Sequence, residues 1–219
     1  MPGIGQRIDQ LKWNLWGARH FRTSQDYWEM RYRHGGNSGA GSYDRLARFK
    51  ATFLNDFVAV NHISTVIEFG SGDGSQLALA TYPDYVGVDV SETALAATGR
   101  RFADKPSIRF LHTSEVTDRH RAELSLSLDV IYHLVEDAVF DTYMSRLFSA
   151  ATRFVVVYAS DEDRAWSSPH VRHRNFTQWV KEHQPDFDFV ERVQNPYPYS
   201  EDDPDNTSFC DFFVFTRSV

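Results

Sequence analysis

Three carboxylates and a histidine stand at places where this chain changes direction. The run Val66-Ile67-Glu68-Phe69-Gly70-Ser71-Gly72-Asp73-Gly74 reads as a buried strand that ends in a glycine turn, with Glu68 just inside it. A second apolar run, Tyr85-Val86-Gly87-Val88, delivers Asp89. Glycines let a backbone approach a bulky ligand and bend without steric cost. An acid about 20 residues on, at the tip of the next strand, is placed to accept hydrogen bonds from ribose hydroxyls. Together they point to a nucleotide-like cofactor at the carboxyl ends of parallel strands. The spacing is not that of a dinucleotide fingerprint, because Gly74 comes one residue too early. Further along, Asp129, His133 and Glu136 are spaced by four and three. If a helix starts at Asp129, all three share one face. An imidazole with an ordinary pKa of about 6.5 is suited to take the proton of an attacking alcohol. A metal on hard oxygen ligands would lower that hydroxyl's pKa.

The arrangement of Glu68, Gly70, Gly72 and Gly74, followed by Asp89, resembles the Glu/Asp-x-Gly-x-Gly-x-Gly signature of class I S-adenosylmethionine-dependent methyltransferases. The resemblance implies that the glycine turn passes beneath the methionine part of the cofactor. It places Asp89 on the ribose and Val90 against the adenine. Where the family reads the adenine amino group, this chain has Thr113-Ser114-Glu115, a departure from the commoner Gly-Asp pair, and Ser114 and Glu115 take that role. Gln76 either faces the methionine end or is a solvated helix residue. The stretch Leu126 to Asp137 looks like the Glu-x-x-Glu-His segment of ubiquinone-pathway O-methyltransferases and small-RNA 2′-O-methyltransferases. In the latter, two glutamates and a histidine hold a divalent metal. Asp129 and His133 match that segment, Tyr132 replaces its second glutamate, and Glu136 or Asp161-Glu162-Asp163 would supply oxygen instead. The implied site has His133 as general base, with Asp129, His133 and Glu136 around Mg²⁺ or another divalent metal.

The elements that must position these residues follow from periodicity. Leu46, Phe49, Phe53, Phe57 and Val60 make one apolar stripe on a helix over residues 43–61. Strands are expected at 65–69, 85–88, 108–111, 124–128 and 153–158. Helices are expected between them at 75–81, 92–102 and 130–148. This alternation predicts an α/β fold, a doubly wound and mostly parallel sheet with helices on both faces. One more helix is expected at 176–183, then strands at 187–193 and 209–217. The methyltransferase resemblance implies that the last strand enters the sheet antiparallel. Residues 43–219 form the expected cofactor-binding domain and residues 1–42 an N-terminal cap. The cap carries Trp13, Trp16, Phe21, Tyr27, Trp28 and Tyr32, with Ser24 as the expected cap of a short helix. The segment Gly35-Gly36-Asn37-Ser38-Gly39-Ala40-Gly41-Ser42-Tyr43 reads either as a flexible linker or as a lid over the cofactor.

Composition narrows the classes. The chain has 219 residues, enough for one domain with a full core. Its net charge of −7 argues against unaided nucleic-acid binding, which draws on neutralised phosphates. Its single cysteine, Cys210, precludes an intrachain disulfide and suits a reducing, cytoplasmic setting. The longest apolar run, Phe154 to Ala159, is too short to span a bilayer, and the N-terminus lacks a signal-peptide pattern. No membrane partner is expected, and oligomeric state stays open, a homodimer included. Two further segments have two readings each. The stretch Ser168 to Phe176 either serves the site, binding an anionic or polyhydroxyl acceptor or extending it with His170 or His173, or forms a solvated basic turn. The loop 194–208, with two Pro-Tyr pairs, is either an aromatic wall for a carbohydrate or an acidic surface loop. The glycine-rich segment and the Asp129 segment together look like a bacterial-type methyltransferase group linked to surface or storage polysaccharides. The expected acceptor is therefore a small molecule, a carbohydrate. Phenol, quinone or natural-product O-methylation is the nearest rival, and a non-catalytic cofactor-binding regulator is the other.

Overall fold

The computed structural model describes residues 21–218. Trp13 and Trp16 of the expected aromatic cap lie outside these residues. The chain enters through helix α1 (Ser24–Arg33), a single turn of 3₁₀ helix at Ala40–Ser42 and the long helix α2 (Asp44–Val60). Seven strands follow, β1 (Thr65–Phe69), β2 (Asp84–Asp89), β3 (Ile108–His112), β4 (Ala122–Leu128), β5 (Ala151–Ala159), β6 (Phe187–Val193) and β7 (Asp211–Arg217). Helix α3 (Glu92–Arg101) links β2 to β3, α4 (Asp137–Ala150) links β4 to β5, and α5 (Phe176–His183) precedes β6.

The sheet order is β3-β2-β1-β4-β5-β7-β6, with β1 to β5 parallel and β7 antiparallel between β5 and β6. The expected fold class is therefore observed. The central strands are buried on both faces, as a doubly wound sheet demands. Val155 and Val157 point into one core with Phe140, Met144 and Phe148 of α4, while Val156 and Tyr158 point into the other with Leu54 and Val58 of α2. The chain reverses direction across the sheet between β1 and β4. At such a switch point the loops after neighbouring strands diverge and leave a crevice at their carboxyl ends.

Three local expectations need correction. In α2 the buried line runs through Leu46, Ala47, Lys50, Ala51, Leu54 and Val58, whereas Val60 is 76% exposed. Steps of seven residues, 46 to 53 to 60, drift about 20° each around a straight helix, which takes Val60 off the sheet. The expected helix at 75–81 is one 3₁₀ turn, Leu77–Leu79. Pro83 disfavours helix just before it, and the Asn55 side chain takes up the Leu79 carbonyl and the Thr81 amide. The expected helix at 130–148 is also broken. A 3₁₀ turn at Ile131–His133 is separated from α4, which begins at Asp137.

Candidate functional site

Glycine conformation builds the floor of the crevice. Gly70, Gly72 and Gly74 have φ of 83°, 57° and 72°, a region that L side chains rarely adopt. Gly70 also lies against Val130, and Gly72 against Ser38 and Tyr32, so that a Cβ at either would collide. The turn presents its backbone to a cleft of about 510 Å³ lined by Glu68, Gly70, Ser71, Gln76, Asp89 and Val90. Asp89 accepts hydrogen bonds from the Gly72 amide (2.8 Å) and the Ser91 amide (2.9 Å). Burial raises its pKa, opposed by those amides. Glu68 is buried with Tyr85 donating to it at 2.7 Å, and burial pushes its pKa up to about 7. Gln76 is buried rather than solvated, donates to the Ala47 carbonyl, and keeps Oε1 unpartnered, as does the Ser71 hydroxyl.

These features fit S-adenosylmethionine. A carboxyl held partly protonated by burial and two buried polar atoms without partners are what a cationic, amino-acid-like group would satisfy. The adenine assignment is different. Ser114 and Glu115 do not line the cleft. Glu115 accepts from the His112 amide and the Ser114 amide bonds the His112 ring, so both close a turn at the end of β3. Thr113 lines the cleft in their place, with Arg146 donating to its carbonyl at 3.1 Å.

The glycine-rich segment is docked on this floor and is not a linker. The Ser38 amide (2.9 Å) and Tyr43 hydroxyl (2.6 Å) donate to Asp73 Oδ2, while the Asp73 amide donates to Ser38 Oγ. Burial would raise the Asp73 pKa, but these donors outweigh it and hold the carboxyl low. Arg31 of α1 is buried and donates to the backbone and side chain of Asn37, which ties helix and segment together. Trp28 and Tyr32 line the cleft from α1. Thr23, not Ser24, caps that helix; Ser24 instead donates its amide and hydroxyl to Glu136.

Lys50, Asp129, His133, Leu134 and Glu136 line the far side of the cleft. Asp129 and His133 are not one helical turn apart, because Asp129 has φ of 59° and interrupts the chain after β4. Its carboxylate faces Lys50 Nζ at 2.5 Å and accepts from Tyr132 at 3.1 Å. His133 Nδ1 meets the His170 carbonyl at 3.0 Å, so the proton sits on Nδ1 and Nε2 carries the lone pair. Burial, then the neighbouring His170 and Arg31, push the His133 pKa down to about 3. Both oxygens of Glu136 are taken by Ser24. The expected metal set of Asp129, His133 and Glu136 therefore does not assemble. Among the described residues no group of three or more His, Cys, Asp or Glu could hold an ion. Asp161 is likewise committed, to Thr177 at the start of α5.

The basic segment braces the chain beside His133, with the His170 ring stacked 5.7 Å from the His133 ring. Arg174 donates to the Leu134 and Val135 carbonyls, and Arg172 to the Val135 carbonyl, while both pair with Asp137. They occupy carbonyls that a continuous helix would use, which explains the break before α4. The loop 194–208 lies away from the cleft, with Tyr197 under Arg45 and Tyr199 against Trp166. The sequence reading missed Lys50, Asp73 and Arg31. A lysine in the apolar face of α2 was the available signal.

No family model and no curated protein matches the chain. Solved structures do. The magnesium protoporphyrin IX methyltransferase of Synechocystis PCC 6803, solved with S-adenosylhomocysteine, is 13% identical with a TM-score of 0.64, over 89% of this chain and 98% of that one. The N-methyltransferase NodS of Bradyrhizobium japonicum WM9, also solved with S-adenosylhomocysteine, is 20% identical with a TM-score of 0.61, over 78% and 86%. The methyltransferase domain of the bacterial CtHen1-C is 17% identical with a TM-score of 0.59, over 78% and 97%. At these identities the likeness establishes the fold, which is the Rossmann-like fold of class I methyltransferases. No helix among the described residues is long and apolar enough to cross a membrane.

Proposed function

We propose that the chain is an S-adenosylmethionine-dependent O-methyltransferase acting on a hydroxyl of a small molecule, a sugar or oligosaccharide. The observation that carries this reading is the pairing, in one cleft, of a glycine floor with uncompensated buried acceptors and a neutral histidine. Glu68 and Gln76 hold the methionine end, Asp89 the ribose and Val90 the adenine. When bound, S-adenosylmethionine supplies a methyl group that passes to the acceptor oxygen, leaving its bonding electron pair on sulfur. His133 offers Nε2 as proton acceptor, its ring fixed through Nδ1 and stacked edge-on to Trp28 at 4.9 Å. With a pKa near 3 the ring stays neutral, so it takes the proton only as the new O–C bond makes the oxygen acidic. Trp28 and Tyr32 give the acceptor an apolar face, and Gln25 gives it a polar partner. A sugar presents both kinds of surface. Like the sequence stretches that resemble it, this suits the sugar 1-O-methyltransferase of methylmannose polysaccharide biosynthesis. The same aromatic wall also suits a phenol.

Two measurements test the reading. S-adenosylhomocysteine titrated into the protein binds at micromolar levels, and absence of binding removes the cofactor assignment. Transfer is then assayed on mannose oligosaccharides and on catechol. His133→Ala lowers turnover on the responding acceptor by roughly 100-fold with cofactor affinity unchanged. In the wild type, turnover at saturating cofactor shows no acid limb near pH 6.5, unlike an enzyme with an ordinary histidine base. Equal turnover in His133→Ala would remove the histidine from the chemistry.

A further inference from the structure

Lys50 is the residue of this cleft that the fold does not require. It sits in α2 among Ala47, Ala51 and Leu54, all buried on the sheet, and its own side chain is 1% exposed. Lysine is almost never fully buried unless paired, and an apolar residue of similar volume would pack there without a charge to desolvate. Its partner Asp129 holds a left-handed backbone that a non-glycine residue keeps only under constraint. Opposite lies Gly41, where a Cβ would come within 2.5 Å of Asp129 Oδ2. Helix α2, the end of β4 and the glycine-rich segment thus converge on one ion pair in the wall of the cofactor cleft.

The pair is asymmetric in what it offers. Two donors already reach the Asp129 carboxylate, from Lys50 and Tyr132. Lys50 has three N–H donors. One goes to Asp129, and among the described residues no other hydrogen-bond acceptor engages Nζ, although the Tyr158 ring lies 5.3 Å away. What the cleft receives is therefore a cation with donors to spare.

We propose that Lys50 is the fixed cation of the acceptor site, binding the acceptor's oxygen through its spare N–H groups where metal-dependent methyltransferases use a divalent ion. This rests on the methyltransferase reading above and deepens it. Lys50 serves as a binding group, with Asp129 as the residue that positions it. The acceptor class that follows is an oxygen nucleophile, because a hydroxyl oxygen has two lone pairs, one to accept from the ammonium and one to attack, whereas a neutral amine has a single one.

Calorimetry with three cofactor forms tests this without knowledge of the acceptor. S-adenosylhomocysteine is uncharged at sulfur, S-adenosylmethionine carries a sulfonium, and sinefungin carries an amine at the same position. In Lys50→Met, Asp129 faces the sulfonium uncompensated, and affinity for both cationic forms relative to S-adenosylhomocysteine rises about tenfold or more. In Asp129→Asn the ratio falls by a similar factor. Lys50→Arg and the neutral double variant Lys50→Met/Asp129→Asn keep the wild-type ratio. The double variant and Asp129→Asn carry the test if Lys50→Met does not fold. Ratios that stay at the wild-type value in both single variants overturn the proposal. So does a tenfold gain in any affinity when Mg²⁺ is added to EDTA-treated protein. A wild type that binds none of the three overturns the methyltransferase reading instead.

Discussion

Glu68 shows at the scale of one residue how function opposes stability. Its carboxyl is buried beneath the cleft and its pKa is pushed from 4.5 up to about 7. Between those values the native state keeps a proton that the unfolded state loses, so this contribution to stability falls as pH rises through the window. Above pH 7 the folded protein carries a buried charge there, offset only in part by Tyr85 and Lys50. Glu68→Gln removes that burden. It should raise unfolding free energy at pH 8 by up to about 3 kcal/mol, with little change at pH 4. The same variant should weaken S-adenosylhomocysteine binding at least tenfold, since the amide cannot attract the ligand's ammonium. Denaturant melts at the two pH values and one titration check both, and a loss of stability at pH 8 would contradict the burial argument. The place of Glu68 in the cleft was legible because motif and spacing mark it. The committed state of Glu136 was not, since its partner Ser24 lies 112 residues away in sequence.

Elements differ in how openly their sequences declare them. Strands β5 and β7 could be read because apolar residues occupy both of their faces and turn residues bound them. Helix α1 could not be placed that way. Its buried positions are Ser24, Tyr27 and Arg31, so it docks through polar bonds and the stacking of Tyr27 on His170, and carries no apolar stripe. The glycine-rich segment is similar, since its composition is that of a linker while its position is set by Asp73. Asp73→Asn weakens the charge-assisted bonds from Ser38 and Tyr43, worth about 1.5–3 kcal/mol for bonds to a charged group. Hydrogen exchange over residues 36–43 should accelerate roughly tenfold or more, and cofactor affinity should fall, while the strand amides keep their protection. A second substitution probes the floor itself. Gly74→Ala combines φ of 72° with a Cβ 2.7 Å from Thr98 and 2.8 Å from Phe102. It should cost about 1–3 kcal/mol in a denaturant melt. The Phe102→Leu background should recover part of that loss, because it relieves the Phe102 contact and leaves the Thr98 contact and the backbone strain.

Across the whole molecule the sheet and the roof are held by different forces, and they should separate under test. The sheet sits between two apolar cores, one with α4 and α5 and the other with α2. The roof helix α1 is fastened at each side of the cleft by a carboxylate. Glu136 takes the Ser24 amide and hydroxyl near His133, and Glu29 takes the Ser91 and Thr93 hydroxyls at the start of α3. Hydrogen bonds of this kind add modestly to stability, far less than burial of an apolar helix face. Local opening of α1 should therefore be much easier than global unfolding. Glu29→Gln/Glu136→Gln should speed exchange of the Ser24–Arg33 amides by roughly tenfold or more. Amides of β4 and β5 should be unaffected and the melting temperature should shift by only a few degrees. Saturating S-adenosylhomocysteine should restore part of the protection, because Trp28 and Tyr32 line the cleft it fills. Equal acceleration in helix and sheet would mean instead that roof and core unfold as one unit. The polar fastening would then be part of the fold's main cooperative network.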